Sequence, residues 1–136
     1  MTTGYSGKPL VRKLGLKENK KILIVNHPGA DYENELGPLP SNIELVKKMG
    51  KEMDFIHFFT KSSKELKKKL PEFKKSIKPD GMIWVSWPKR ASKIKTDIDE
   101  NIIRETALSL GLVDVKVCAV TEIWSGLKLV IRKENR

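Results

Sequence analysis

Three short segments, each following a strand candidate, bring side chains able to do chemistry toward one sheet edge: Asn26-His27-Pro28, Phe59-Thr60-Lys61 and Ser86-Trp87-Pro88-Lys89. Together they offer an imidazole, a hydroxyl, two ammonium groups and a large aromatic plate. Such a set can hold an anionic or aromatic small molecule, with Trp87 stacking and Lys89 pairing. Asn26, His27, Thr60, Ser86, Trp87 and Lys89 are therefore the candidate ligand-binding residues. The competing account has Trp87 packed over the sheet edge, the prolines stiffening loops and the lysines solvated. His27 is the best acid–base candidate, since imidazole titrates near neutrality. No Ser/His/Asp or Cys/His order is recognisable, so no catalytic residue is assigned. His57, inside Phe55–Phe59, reads as a hydrogen-bonded core histidine. Two histidines and one cysteine without short-range ligand spacing give no expectation of a metal. Asp31, Glu33 and Glu35 alternate, but they lack the glycine and terminal glutamate of a calcium loop and read as a polar helix start. Glu122 and Trp124 are candidate partner contacts that could also rim the same crevice.

These residues need elements to position them. Ile22–Val25 is an aliphatic run without alternation, the pattern of a central parallel strand, and Asn26–Gly29 ends it. Pro9–Leu14 is a short helix with Pro9 in its first turn, and Gly4–Ser6 is a lead-in. Asp31–Leu36 makes one or two helical turns, Ile43–Val46 a weak strand and Phe55–Phe59 a strong one. Ser62 or Ser63 caps a helix whose stripe is Leu66, Leu70, Phe73 and Ile77, with Pro71 kinking or splitting it near Leu70. That helix stops at Lys78-Pro79, Asp80-Gly81 turns the chain, and Met82–Val85 is a buried strand whose pairing ends at Trp87-Pro88. Asp97 with Glu100 resembles a capping box for a helix to Leu110 that buries Ile98, Ile102, Thr106 and Leu110, with Gly111 as its cap. Val113–Val120 and Leu127–Arg132 form an antiparallel hairpin across the six residues Thr121–Gly126. Strands alternating with helices, then a hairpin, predict one α/β domain over residues 1–136. The expected sheet is mostly parallel, with three strand carboxyl ends meeting at one edge.

Composition narrows the class. With 39% hydrophobic and 32% charged residues the chain is globular, and no apolar run approaches a membrane span. The amino terminus lacks the apolar core of a secretory signal, and a single cysteine, Cys118, fits a reducing compartment; the expected location is cytoplasmic. The net charge of +10 is concentrated, because residues 61–90 hold ten Lys/Arg against three acidic residues, a net +7. A lysine-rich solvated helix accounts for that run, and no nucleic-acid motif accompanies it, so nucleic acid is not an expected partner.

The element order resembles the carboxyl-terminal half of the class I methyltransferase fold. The match runs through Ile77-Lys78-Pro79-Asp80-Gly81 before a strand, Gly111-Leu112-Val113-Asp114-Val115-Lys116-Val117 after a helix, and Glu122-Ile123-Trp124-Ser125-Gly126-Leu127-Lys128. Across nearly its full length the chain is similar to a family of small bacterial proteins of unknown function. Tyr5-Ser6-Gly7-Lys8-Pro9-Leu10, Gly37-Pro38-Leu39-Pro40, Trp84-Val85-Ser86-Trp87-Pro88-Lys89 and Trp124-Ser125-Gly126-Leu127-Lys128 carry that similarity. The resemblance implies a reduced, three-layer Rossmann-like sandwich and no mechanism. Methyltransferases follow their first strand with a glycine-rich turn for the methionine end of S-adenosylmethionine, and they end the second with an acidic residue for the ribose. Here Asn26-His27-Pro28-Gly29-Ala30 has one glycine and a proline, and Glu44 is the nearest acid. S-adenosylmethionine is therefore not expected, and no other cofactor is assigned. The expectation is a non-catalytic or regulatory module binding a small ligand or a protein. The alternatives are a transferase with an altered loop, and nucleic-acid binding through the lysine-rich helix.

Overall fold

The computed structural model describes residues 9–136, so the lead-in over 4–6 and most of the Tyr5–Leu10 segment lie outside the described residues. The elements follow the alternation: α1 (Leu10–Lys13), β1 (Lys21–Val25), α2 (Ala30–Leu36), β2 (Glu44–Val46), β3 (Met53–Phe59), α3 (Ser63–Ser76), β4 (Ile77–Pro88), α4 (Glu100–Ser109), β5 (Leu112–Ala119) and β6 (Trp124–Ile131). Short 3-10 turns occupy Arg90–Ser92 and Lys133–Asn135. Among the described residues six strands form one sheet in the order β2-β1-β3-β4-β6-β5. β2, β1, β3 and β4 are parallel, while β6 runs antiparallel to both β4 and β5. The fold is the expected three-layer α/β sandwich with a carboxyl-terminal antiparallel pair.

Period-two alternation sends side chains to two separate cores. On one face Ile56 and Phe58 of β3, with Ile83, Val85 and Trp87 of β4, pack beneath α3 and α4. On the other, Phe55, Phe59 and Trp84 pack against Leu10 and Leu14 of the α1 segment and Tyr32 and Leu36 of α2. Leu66, Leu70 and Phe73 of α3 are all buried, and each such side chain contributes about 2 kcal/mol on leaving water. Trp84 Nε1 donates to the Leu14 carbonyl at 2.9 Å and ties the amino-terminal segment to the sheet.

Several boundaries differ from the expectation. α3 runs unbroken through Pro71, because its buried stripe outweighs the one hydrogen bond that proline removes from the Lys67 carbonyl. No turn separates α3 from β4. Ile77 pairs with Met53 and Met82 with Phe55, so Lys78–Gly81 bulge out of the ladder where Asp80-Gly81 had been expected to turn. At the far end β4 leaves β3 at Ser86 but stays paired with β6 through Pro88, whose missing N–H costs an edge position nothing. Asp99, not Asp97, caps α4, accepting from Ile102 N at 2.9 Å. Of the expected stripe, Ile98 is buried just ahead of α4, and Ile102 and Leu110 pack partly buried against the same core, while the fully buried residues of the helix itself are Ile103 and Ala107. The β5–β6 connection is four residues, 120–123, shorter than the six expected. β5 carries a second bulge, since Asp114 and Lys116 oppose the adjacent Leu129 and Lys128.

Candidate functional site

The chain leaves β1 for β2 on one side and crosses to β3 on the other, which makes the β1–β3 carboxyl ends the topological switch point where open α/β sheets place ligands. Asn26 ends β1 with φ 59°, a left-handed conformation that asparagine tolerates. Its side-chain amide donates to the Phe59 carbonyl at 2.9 Å and lies 3.3 Å from both Glu65 carboxylate oxygens. Thr60 is buried; its N–H donates to the Ser86 carbonyl at 3.0 Å and its hydroxyl to Glu65 Oε1 at 2.6 Å. Glu65 sits in the first turn of α3, whose N-cap is Ser62. The crevice mouth is thus latched by Asn26, Thr60 and Glu65 together. A 350 Å3 hollow flanks it on the α3 side, lined by Val25, Lys47, Met49, Lys69 and Phe73 among others.

The strand-end candidates are divided between the two faces. His27 faces α2: its Nδ1 accepts from Gly29 N at 3.0 Å and its Nε2 lies 3.2 Å from Glu33 Oε1, which fixes the proton on Nε2. Its ring stands edge-on to Tyr32 at 5.3 Å. Gly29 has φ 120°, which only glycine adopts without strain. Ser86 is fully buried on the same side of the sheet, 2.8 Å from His57 Nε2, and the other ring nitrogen is 2.7 Å from the Tyr32 hydroxyl. His57 is therefore the hydrogen-bonded core histidine that its sequence position suggests. Burial lowers its pKa to about 3, with the His27 ring a lesser contributor, and burial raises that of Tyr32. Nothing local in the sequence marks Tyr32 as the partner of His57. The available signal was the histidine itself, because a buried imidazole in an aromatic run needs a polar partner.

Trp87 faces the opposite way, toward α3 and α4. It is 8% exposed and forms the floor of a 580 Å3 groove with Pro88, the loop from Arg90 to Asp99, and Glu100. Lys89 starts that loop; its N–H donates to the Ile123 carbonyl at 2.7 Å and its carbonyl accepts from Ser92 Oγ. Trp124 opens β6 and stands perpendicular to Phe59 at 5.2 Å, while Glu122 is exposed in the connection before it. Glu44 begins β2 and lies in a hollow with Lys21 and Asp54 at the amino ends of the strands, the wrong end for a ribose at the switch point. Among the described residues no group of three or more His, Cys, Asp or Glu side chains gathers for a metal, and no helix is long and apolar enough to cross a membrane.

Residues 43–133 match the family model described as a protein of unknown function (DUF3052). No curated protein matches the sequence. Among solved structures, an S-adenosylmethionine-dependent methyltransferase from Aquifex aeolicus is similar with a TM-score of 0.58 at 18% identity, covering 90% of this chain and 88% of that one. The magnesium protoporphyrin IX methyltransferase ChlM of Synechocystis PCC 6803, with bound SAM, gives 0.61 at 11% identity over 90% and 74% of the two chains. A DhpI–SAH complex gives 0.63 at 10% identity over 92% and 83%. Likeness at these identities shows the fold.

Proposed function

The chain belongs to the DUF3052 family of proteins of unknown function, and from that premise we propose a non-catalytic or regulatory binding module on a methyltransferase-like fold, without a working S-adenosylmethionine site. The observation that carries this reading is the latch across the switch point. Asn26 Nδ2, bonded to the Phe59 carbonyl at 2.9 Å, and Glu65, bonded to Thr60 at 2.6 Å, occupy the ground where the methionine end of the cofactor would have to approach the backbone. The Glu65 carboxylate would oppose the cofactor's own carboxylate there. The loop also has Pro28 where backbone N–H donors would be useful. The residues present do not fit the cofactor. With Cys118 as its one cysteine the sequence offers no internal disulfide, which supports a reducing, cytoplasmic location.

The transferase alternative rests on the fold likeness alone, and His27 and Trp87 lie on opposite faces of the sheet that would have to share its substrate. Calorimetry and thermal shift with S-adenosylmethionine and S-adenosylhomocysteine separate the two. A ligand at about 100 times its dissociation constant adds about 2.7 kcal/mol, which is several degrees of Tm for a chain of this size. The expected result is no shift with either compound. A shift of several degrees would return the protein to the transferases.

A further inference from the structure

The groove over Trp87 has an uneven electrostatic design. Three carboxylates line it, and each is engaged within the protein. Asp97 accepts from both the N–H and the hydroxyl of Ser63 at 2.7 Å, Asp99 caps α4 through Ile102 N, and Glu100 pairs with Arg104. Three cations line it as well, Arg90, Lys93 and Lys95, all exposed. Among the described residues none of these three side chains has an ion-pair or hydrogen-bond partner. The loop bearing them is nonetheless anchored. Thr96 Oγ1 donates to the Lys61 carbonyl at 2.7 Å, and the Asp97–Ser63 bonds hold it to the start of α3. Its floor is apolar, formed by Trp87, Pro88, Ile94 and Ile98. An anchored loop whose carboxylates are each hydrogen-bonded or ion-paired within the protein, and whose cations are not, over an apolar floor that includes an aromatic ring, has the recognition chemistry of an anion on a planar body. Arginine adds a fork matched to phosphate oxygens. The volume of 580 Å3 suits a ligand of mononucleotide size.

We propose that this groove binds a phosphorylated small molecule with a planar body, the phosphates held by Arg90, Lys93 and Lys95 and the body laid over Trp87 and Pro88. This rests on the reading of a closed switch-point crevice, since it moves the ligand site to the end of β4. The test titrates the whole chain with three probes: ATP, tripolyphosphate, which carries the charge alone, and adenosine, which carries the planar body alone. ATP is expected to bind with a dissociation constant below about 1 mM, more tightly than either other probe, and to change tryptophan emission. Arg90→Glu/Lys93→Glu/Lys95→Glu should weaken ATP at least tenfold with a Tm no lower than that of the wild type. Trp87→Phe should abolish the emission change, leaving Trp84 and Trp124 as silent reporters. Absence of ATP binding, or affinity unchanged in the triple variant, overturns the proposal. Loss of ATP binding in Lys64→Glu/Lys67→Glu/Lys68→Glu but not in the groove variant also overturns it, and makes the α3 lysines a polyanion or nucleic-acid surface. S-adenosylmethionine titrated into the same proteins tests the premise separately. Binding that survives the groove substitutions sinks the closed-crevice reading, whatever ATP does.

Discussion

His57 lies fully buried between the hydroxyls of Tyr32 and Ser86, and its pKa falls from 6.5 to about 3 because the interior disfavours its charged form. The unfolded chain takes up that proton below about pH 6.5 while the folded chain refuses it. The histidine's contribution is therefore fully present above pH 6.5 and is lost as pH falls toward 3, with a slope of at most about 1.4 kcal/mol per pH unit. Chemical denaturation between pH 7 and 4.5 should show a steeper acid loss for the wild type than for His57→Gln, whatever their stabilities at pH 7. Parallel curves would sink this account. Residue identity made the histidine legible, because an imidazole flanked by Phe55, Ile56, Phe58 and Phe59 must be buried and partnered. Ser86 and Trp87 are neighbours in sequence but not in surroundings. Adjacent strand residues point to opposite faces, so one joins the His57 network and the other floors the groove.

Among the elements, strands with continuous aliphatic or aromatic runs and the regular stripe of α3 were legible, since burial on both faces or on one stripe leaves an unambiguous period. α4 was not. Ile102 and Ile103 offer two stripes one residue apart, and only Asp99 taking the cap places Ile103 and Ala107 inward. Asp97 carried the same signature but is spent on Ser63, a contact 34 residues away that no local pattern contains. The β4 bulge was hidden likewise, because Pro79 and Asp80-Gly81 are turn chemistry whichever way the ladder closes around them. Pro71 yields a prediction at this scale. Replacing it with alanine restores a donor to the Lys67 carbonyl within a helix that is already continuous, and should stabilise the protein by about 1–3 kcal/mol. Urea midpoints measure this directly, and a lower midpoint for Pro71→Ala would show that the proline ring packs to greater advantage than the missing bond.

For the whole molecule, a net charge of +10 with +7 of it in residues 61–90 implies self-repulsion in the folded state. Raising sodium chloride shortens the screening length from about 10 Å at 0.1 M to about 3 Å at 1 M, so Tm should rise by a few degrees over that range. A flat or falling Tm would mean that the lysines are compensated in ways the sequence charge does not convey. The bulge in β5 bears on a different question, how the last strand of the described sheet would meet a second copy of itself. Val113-Asp114-Val115-Lys116-Val117 reads as its own complement when reversed, with each aspartate opposite a lysine and each valine opposite a valine. The bulge breaks that symmetry in space, sending Asp114 to Arg104 of α4 on one face and Lys116 to the Lys13 carbonyl of the α1 segment on the other. A second copy laid antiparallel along β5 would find its charges on the wrong sides of the joined sheet. One extra residue thus divides between the two faces of the sheet the charge complementarity that the sequence would offer to a second copy of the strand.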